Sequence, residues 1–146
     1  MKIRPPVLAA ICFGAAKALD LLIPTPEIIK PPLIWAGPVL ALAGLALGAW
    51  ALWSFHRSQT THDPFGTPSA LVGDGPYRFS RNPMYAGLAL LLLGAAVYSG
   101  SLMMFLAPGA FVLAANKLVI EREEKLLESL FKDEYRALTK RVRRWL

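Results

Sequence analysis

The chain has 146 residues, one domain at most. Hydrophobic residues make up 55% of it and the net charge is +6, a balance too apolar for an ordinary soluble domain and without the basic-aromatic stripe of a nucleic-acid binder. A single cysteine, Cys12, excludes an internal disulfide and argues against a cysteine-based metal site.

Four apolar runs set the architecture: residues 7–23, 33–55, 84–98 and 102–120. A spanning helix needs about 20 mostly apolar residues, with about 17 as the lower limit. The second run exceeds this, the first and fourth reach it, and the third is short, as suits a span that begins in a protein-lined pocket. In lipid the backbone must satisfy its own hydrogen bonds, which favours helices. The expectation is an all-α integral membrane protein, a single domain over residues 1–146 with about four transmembrane helices.

Lys2 and Arg4 precede the first run as in a signal peptide, but Lys17 and Asp20 near its end, with no convincing cleavage site, favour a retained anchor. Those two charges are three residues apart and can pair on one helix face. Four prolines between Pro24 and Pro32 read as a rigid external turn. In the second run Gly37, Gly44 and Gly48 would let another helix approach closely, and Pro38 is a candidate kink.

Residues 56–83 are the longest polar stretch, with turn signals at Asp63-Pro64 and Asp74-Gly75-Pro76. His56 and His62 lie six apart with no third ligand, so no metal site is expected. His62 is a candidate general base or a solvated loop residue. The stretch leads into Gly75–Gly87, GPYRFSRNPMYAG, whose two arginines, asparagine and two tyrosines exceed what a loop feeding a helix needs. Ser99-Gly100-Ser101 then turns tightly into the fourth run, where Pro108 is a second candidate bend. From Asn116 the chain becomes charged without a helix breaker. One helix is expected to leave the membrane, reaching about Tyr135 and at its longest covering residues 117–146.

Within that helix Glu121–Lys125 and Glu128–Lys132 are spaced i, i+4 as supporting pairs. Adjacent Glu123 and Glu124 diverge by about 100°, so one of them should point inward, where an ionisable group needs a partner. Of the 16 basic residues, 14 fall in the N-terminal segment, the 56–83 loop or the stretch from Lys117 onward. The positive-inside rule then puts both termini in the cytoplasm and the basic tail against anionic lipid head groups.

Arg81-Asn82-Pro83-Met84-Tyr85-Ala86-Gly87 resembles a motif of the membrane methyltransferases that include isoprenylcysteine carboxyl methyltransferase and phospholipid N-methyltransferase. It blends the Arg-His-Pro-x-Tyr-x-Gly of one branch with the Asn-Pro-Met-Tyr of the other. Glu123, Glu124, Leu127, Phe131 and Tyr135 match the second half of the signature, Glu-Glu-x-x-Leu-x-x-x-Phe-Gly-x-x-Tyr. Lys132 stands in place of the glycine and Leu138 in place of a further tyrosine.

The resemblance implies an enzyme that uses S-adenosylmethionine in a site formed by the cytoplasmic loop and the C-terminal helix. Its cofactor-binding residues would be Arg78, Arg81, Asn82, Pro83, Tyr85, Gly87, Glu123, Glu124 and Tyr135. The acceptor would be a membrane lipid or other lipophilic or small molecule bearing a carboxylate, amine or thiol.

These residue types suit that cofactor. An arginine fork matches its carboxylate, a glutamate its ribose hydroxyls or ammonium, and a tyrosine face its adenine or sulfonium. Asn82 can read an adenine edge, and Gly87 admits a ligand or a neighbouring helix. Each also has a structural reading: Arg78 and Arg81 as interface anchors, Tyr85 as a belt aromatic, and Asn82-Pro83 as a helix start. The rival function is a non-enzymatic membrane scaffold that assembles through the glycine face and the basic C-terminal helix.

Overall fold

A computed structural model describes residues 3–23, 25–57 and 71–146. Lys2, Pro24, His62 and Asp63-Pro64, discussed above, lie outside these. Among the described residues five α-helices follow in order: α1 (Pro5–Leu22), α2 (Ala36–Arg57), α3 (Pro83–Ser99), α4 (Leu106–Ala115) and α5 (Glu121–Arg141). Short 3-10 turns cover Leu33–Trp35, Gly75–Arg78 and Met103–Phe105, and a π-helical turn, Asn116–Ile120, joins α4 to α5. Among the described residues there are no strands, only isolated bridges.

The protein is an all-α membrane protein. Pro5–Leu22, Leu33–Arg57 and the continuous run Met103–Arg141 are long and apolar enough to span a bilayer, and Pro83–Ser99 is apolar but shorter. In the third of these the apolar part ends at Ile120, and α5 beyond it is charged. Outward faces are apolar: Val39, Leu42, Leu45 and Trp53 of α2 are exposed, which suits lipid as solvent.

α2 and α3 form the most extensive helix pair, and glycine makes it possible. A Cβ on Gly37 would lie 2.5 Å from the Gly94 carbonyl oxygen, and one on Gly44 would lie 2.5 Å from that of Gly87. Such backbone contact is how helices associate where no hydrophobic force separates protein from lipid. The glycine face expected for α2 is therefore used inside the chain, although no atom of α3 comes within 4 Å of a Cβ on Gly48.

α1 packs on α4, and a buried cluster of Leu8, Ala16, Leu92, Met104, Phe111 and Ile120 joins α1, α3 and α4. At the far end Lys17 pairs with Asp20 at 2.8 Å, as its spacing predicts. Ser101 donates a hydrogen bond to the same carboxylate, so the α3–α4 turn is fastened to the end of α1. Gly100 closes α3 with φ 71° and its N–H bonded back to Ala96, the usual use of glycine at a helix C-terminus.

Neither proline expected to bend a span does so in mid-helix. Pro38 and Pro108 fall in the first turns of α2 and α4, directly after 3-10 turns. There the missing N–H has no intrahelical partner to lose.

The C-terminal helix ends at Arg141 rather than covering residues 117–146. Lys132 interrupts it with φ 42° and ψ −112°, a conformation normally left to glycine. The expected i, i+4 pairs do not form. Glu121 pairs with Lys117 at 3.1 Å and Glu128 with Arg136 at 3.1 Å. Val142 turns extended, and the last residues fold back along the motif loop.

Candidate functional site

The motif loop is anchored to α2 before it reaches α3. Gly75 takes φ 59° where a Cβ would lie 2.5 Å from the Ser54 hydroxyl, so only glycine fits this turn. Pro76 and Tyr77 are buried beyond it. The Tyr77 ring meets Phe55 edge-to-face at 5.1 Å and packs with Ala51, Val72 and Met84. Tyr77 is thus packed inside the protein. Burial and the nearby Glu123 carboxylate raise its pKa.

From this anchor the two halves of the signature converge. Arg81 Nη1 lies 2.9 Å from Glu124 Oε1 and donates to the Tyr135 hydroxyl at 3.1 Å. The Tyr85 hydroxyl donates to Glu123 Oε1 at 2.7 Å. Both glutamates are therefore engaged, not one as helix geometry alone suggests. Glu123 meets the α3 wall, and Glu124 meets a second wall made by the loop and the C-terminal tail.

That second wall was not foreseen. Arg144 Nε and Nη2 donate to the two oxygens of Glu124 at 3.0 and 2.5 Å, a planar fork on a carboxylate. The Arg81 backbone N–H donates to the Arg143 carbonyl at 2.8 Å. Asn82 Nδ2 and the Ser80 hydroxyl both donate to the Arg144 carbonyl, at 2.9 and 3.5 Å. Trp145 Nε1 donates to Asn116 Oδ1 at 3.1 Å, tying the tail to the π-helical turn. Expected at lipid head groups, Arg144 instead binds Glu124. The one available signal was Val142, an apolar residue between Arg141 and Arg143 that the structure buries.

The nine candidate residues separate into four groups. Arg81, Asn82, Tyr85, Glu123, Glu124 and Tyr135 are brought together. Pro83 is buried at the start of α3 beside them; Asn82 precedes it in the cap position but makes no side-chain cap bond, its amide being given to the tail. Gly87 faces α2, where a Cβ would lie 2.7 Å from the Gly44 carbonyl oxygen, so of its two readings the neighbouring helix is the one the structure provides. Arg78 is exposed at the end of its turn and makes no hydrogen bond or ion pair among the described residues.

Two features give the cluster chemical capacity. Burial pushes the Glu123 carboxyl up to about 7, the nearby Glu124 charge adding to the rise and the Tyr85 hydrogen bond opposing it. Glu123 Oε2 has no protein hydrogen bond among the described residues. Arg81 Nε is buried without a hydrogen-bond partner among them, which a ligand acceptor would satisfy. No group of three metal-ligating residues occurs among the described residues.

A family model described as phospholipid methyltransferase matches residues 32–134, from just before the 3-10 turn that leads into α2 through most of α5. The chain belongs to that family. Membership implies methyl transfer on membrane-lipid-related substrates. An uncharacterised protein of Haemophilus influenzae is 44% identical over 63 residues, which is 43% of this chain and 100% of that protein. No solved structure matches.

Proposed function

We propose that this family member moves a methyl group from S-adenosylmethionine to a lipid-borne or small acceptor at the cytoplasmic face of a membrane, with both termini on that side. The observation that carries this is the meeting of the two motif halves. Tyr85 reaches Glu123, and Arg81 reaches Glu124 and Tyr135, across the gap between loop and C-terminal helix.

The donor set fits the cofactor. The unpartnered Arg81 Nε and its guanidinium fork suit a carboxylate. The free oxygen of Glu123 suits an ammonium or a ribose diol. Once bound, the cofactor supplies a methyl carbon already activated by a sulfonium leaving group, so the chain needs no nucleophile. Its residues bind and align, and alignment contributes up to about 7–11 kcal/mol in ideal intramolecular systems.

Tyr85 belongs to the apolar cluster of α1, α3 and α4 as well as to the polar site. An acceptor approaching through the bilayer would therefore meet Glu123 from its apolar side. Near neutral pH Glu123 can hold the proton that an amine or thiol gives up. The scaffold reading loses support because Gly37 and Gly44 are already packed against α3.

The test is transfer of a labelled methyl group from S-adenosylmethionine to three acceptor classes in bilayers: amine-headed phospholipid, prenylcysteine and small thiol. Label reaching one class with wild type, and reduced in Arg81→Ala, is the expected result. Folded wild type that labels none of the three would overturn the proposal.

A further inference from the structure

The C-terminal tail contributes a cation to the site. We infer that Arg144 is a positioning and specificity residue: it neutralises Glu124, leaving Arg81 available for a ligand carboxylate and the box of Arg81, Arg144 and Glu124 net positive. This rests on the cofactor reading above and concerns residues beyond the family match, which ends at residue 134.

Charge and geometry carry the argument. Glu124 accepts from both arginines, Arg81 through Nη1 alone and Arg144 through two nitrogens. With both cations the trio carries +1. Without Arg144, Arg81 and Glu124 cancel, and an arriving carboxylate would have to draw Arg81 away from an adjacent carboxylate left unpaired. That is costly at a site where the Arg81 and Glu124 side chains are only 15% and 18% exposed. Glu123, when ionised, adds negative charge and makes the second arginine more necessary.

The tail is held well enough to do this. Val142 is buried, the Ser80–Arg143 bridge and the Arg81 N–H to Arg143 carbonyl bond fix its backbone, and Trp145 is tethered to Asn116. Asn82, in the loop motif, spends its amide on the Arg144 carbonyl. Asn82 thus orients the residue that frees its neighbour Arg81. The fork on Glu124 holds the Arg144 proton more firmly than usual.

The experiment compares two ligands by calorimetry on the full chain in lipid nanodiscs. S-adenosylhomocysteine carries the amino-acid carboxylate; 5′-methylthioadenosine lacks the whole amino-acid end. In Arg144→Gln, affinity for S-adenosylhomocysteine should fall about three- to tenfold, the range expected for a partly exposed charge partner. Affinity for methylthioadenosine should not change, and Arg144→Lys should recover part of the loss.

Equal loss for both ligands, or none for either, would overturn the inference. Melting temperatures identify a folding defect, and if Arg144→Gln is unfolded the Arg144→Lys comparison decides: selective weakening of S-adenosylhomocysteine supports the inference, and parallel changes overturn it. Wild type that binds neither ligand would overturn the cofactor reading itself, a result distinct from parallel loss in the variants.

Discussion

The Tyr85 hydroxyl donates to Glu123 Oε1 at 2.7 Å across 38 residues of sequence. One bond thereby joins the first turn of the short apolar helix α3 to the first turn of the charged helix α5. The acceptor in this bond is a carboxyl that burial has made a weak acid, and pH dependence follows from it.

Glu123 titrates near 7 in the folded protein against an ordinary 4.5. Between those values the folded state keeps a proton that the unfolded chain has released, so stability is full below the window and falls as pH rises through it. Burying the ionised form should cost on the order of 1–3 kcal/mol above pH 7. Glu123→Gln keeps an acceptor for Tyr85 and removes the titration. Its melting temperature should exceed wild type at pH 8 and match it near pH 4.5. A constant difference across that range would contradict the assignment.

Lys132 offers a second test. Its φ of 42° and ψ of −112° cost an L-residue on the order of 1–3 kcal/mol, and the side chain is exposed with no ion pair among the described residues to compensate. Lys132→Gly should stabilise the protein by about 1 kcal/mol, part of the strain relief being lost to the greater freedom of glycine in the unfolded chain. Lys132→Ala should gain little, because it keeps the Cβ. Thermal denaturation of both variants in one detergent decides, and equal effects would argue against backbone strain.

This residue also marks where sequence reading reaches its limit. The four apolar runs locate the helices to within a few residues because lipid demands length and apolarity together. Arg81 and Glu124 could be singled out because their segments resemble the two halves of the family signature; the cost of buried charge indicated only that one of Glu123 and Glu124 needs a partner. The glycine that the family signature has at Lys132 was visible as a departure, but its reason, a reversal of backbone sign inside α5, lies in geometry and not composition. The π-helical turn at Asn116–Ile120 likewise leaves no periodic trace in so short a stretch. Arg144 was hidden most completely. Its partner lies 20 residues back, and a five-residue tail rich in arginine reads first as a lipid contact.

The α2–α3 contact supplies a third prediction. A side chain at Gly44 must displace the backbone of α3, since even a Cβ would sit 2.5 Å from the Gly87 carbonyl oxygen. Gly44→Val should destabilise the protein by roughly 1–3 kcal/mol or more, the range for overpacking a tight interior. Gly48→Val should have little effect, because no atom of a neighbouring element lies within 4 Å of a Cβ at that position. Size-exclusion profiles and melting curves of the pair make the comparison, and similar behaviour would contradict the packing.

The proposed cofactor site joins Arg81, Tyr85, Glu123 and Glu124. It is tested most directly by calorimetric titration of S-adenosylmethionine into wild type, Arg81→Ala and Glu123→Ala in lipid nanodiscs. Arg81→Ala leaves Glu124 paired with Arg144, so the fold should survive it. Wild type should bind saturably, with binding weakened about tenfold or more in both variants and melting temperatures showing folded protein throughout. Folded wild type that does not bind, or binding that both substitutions leave unchanged, would contradict it.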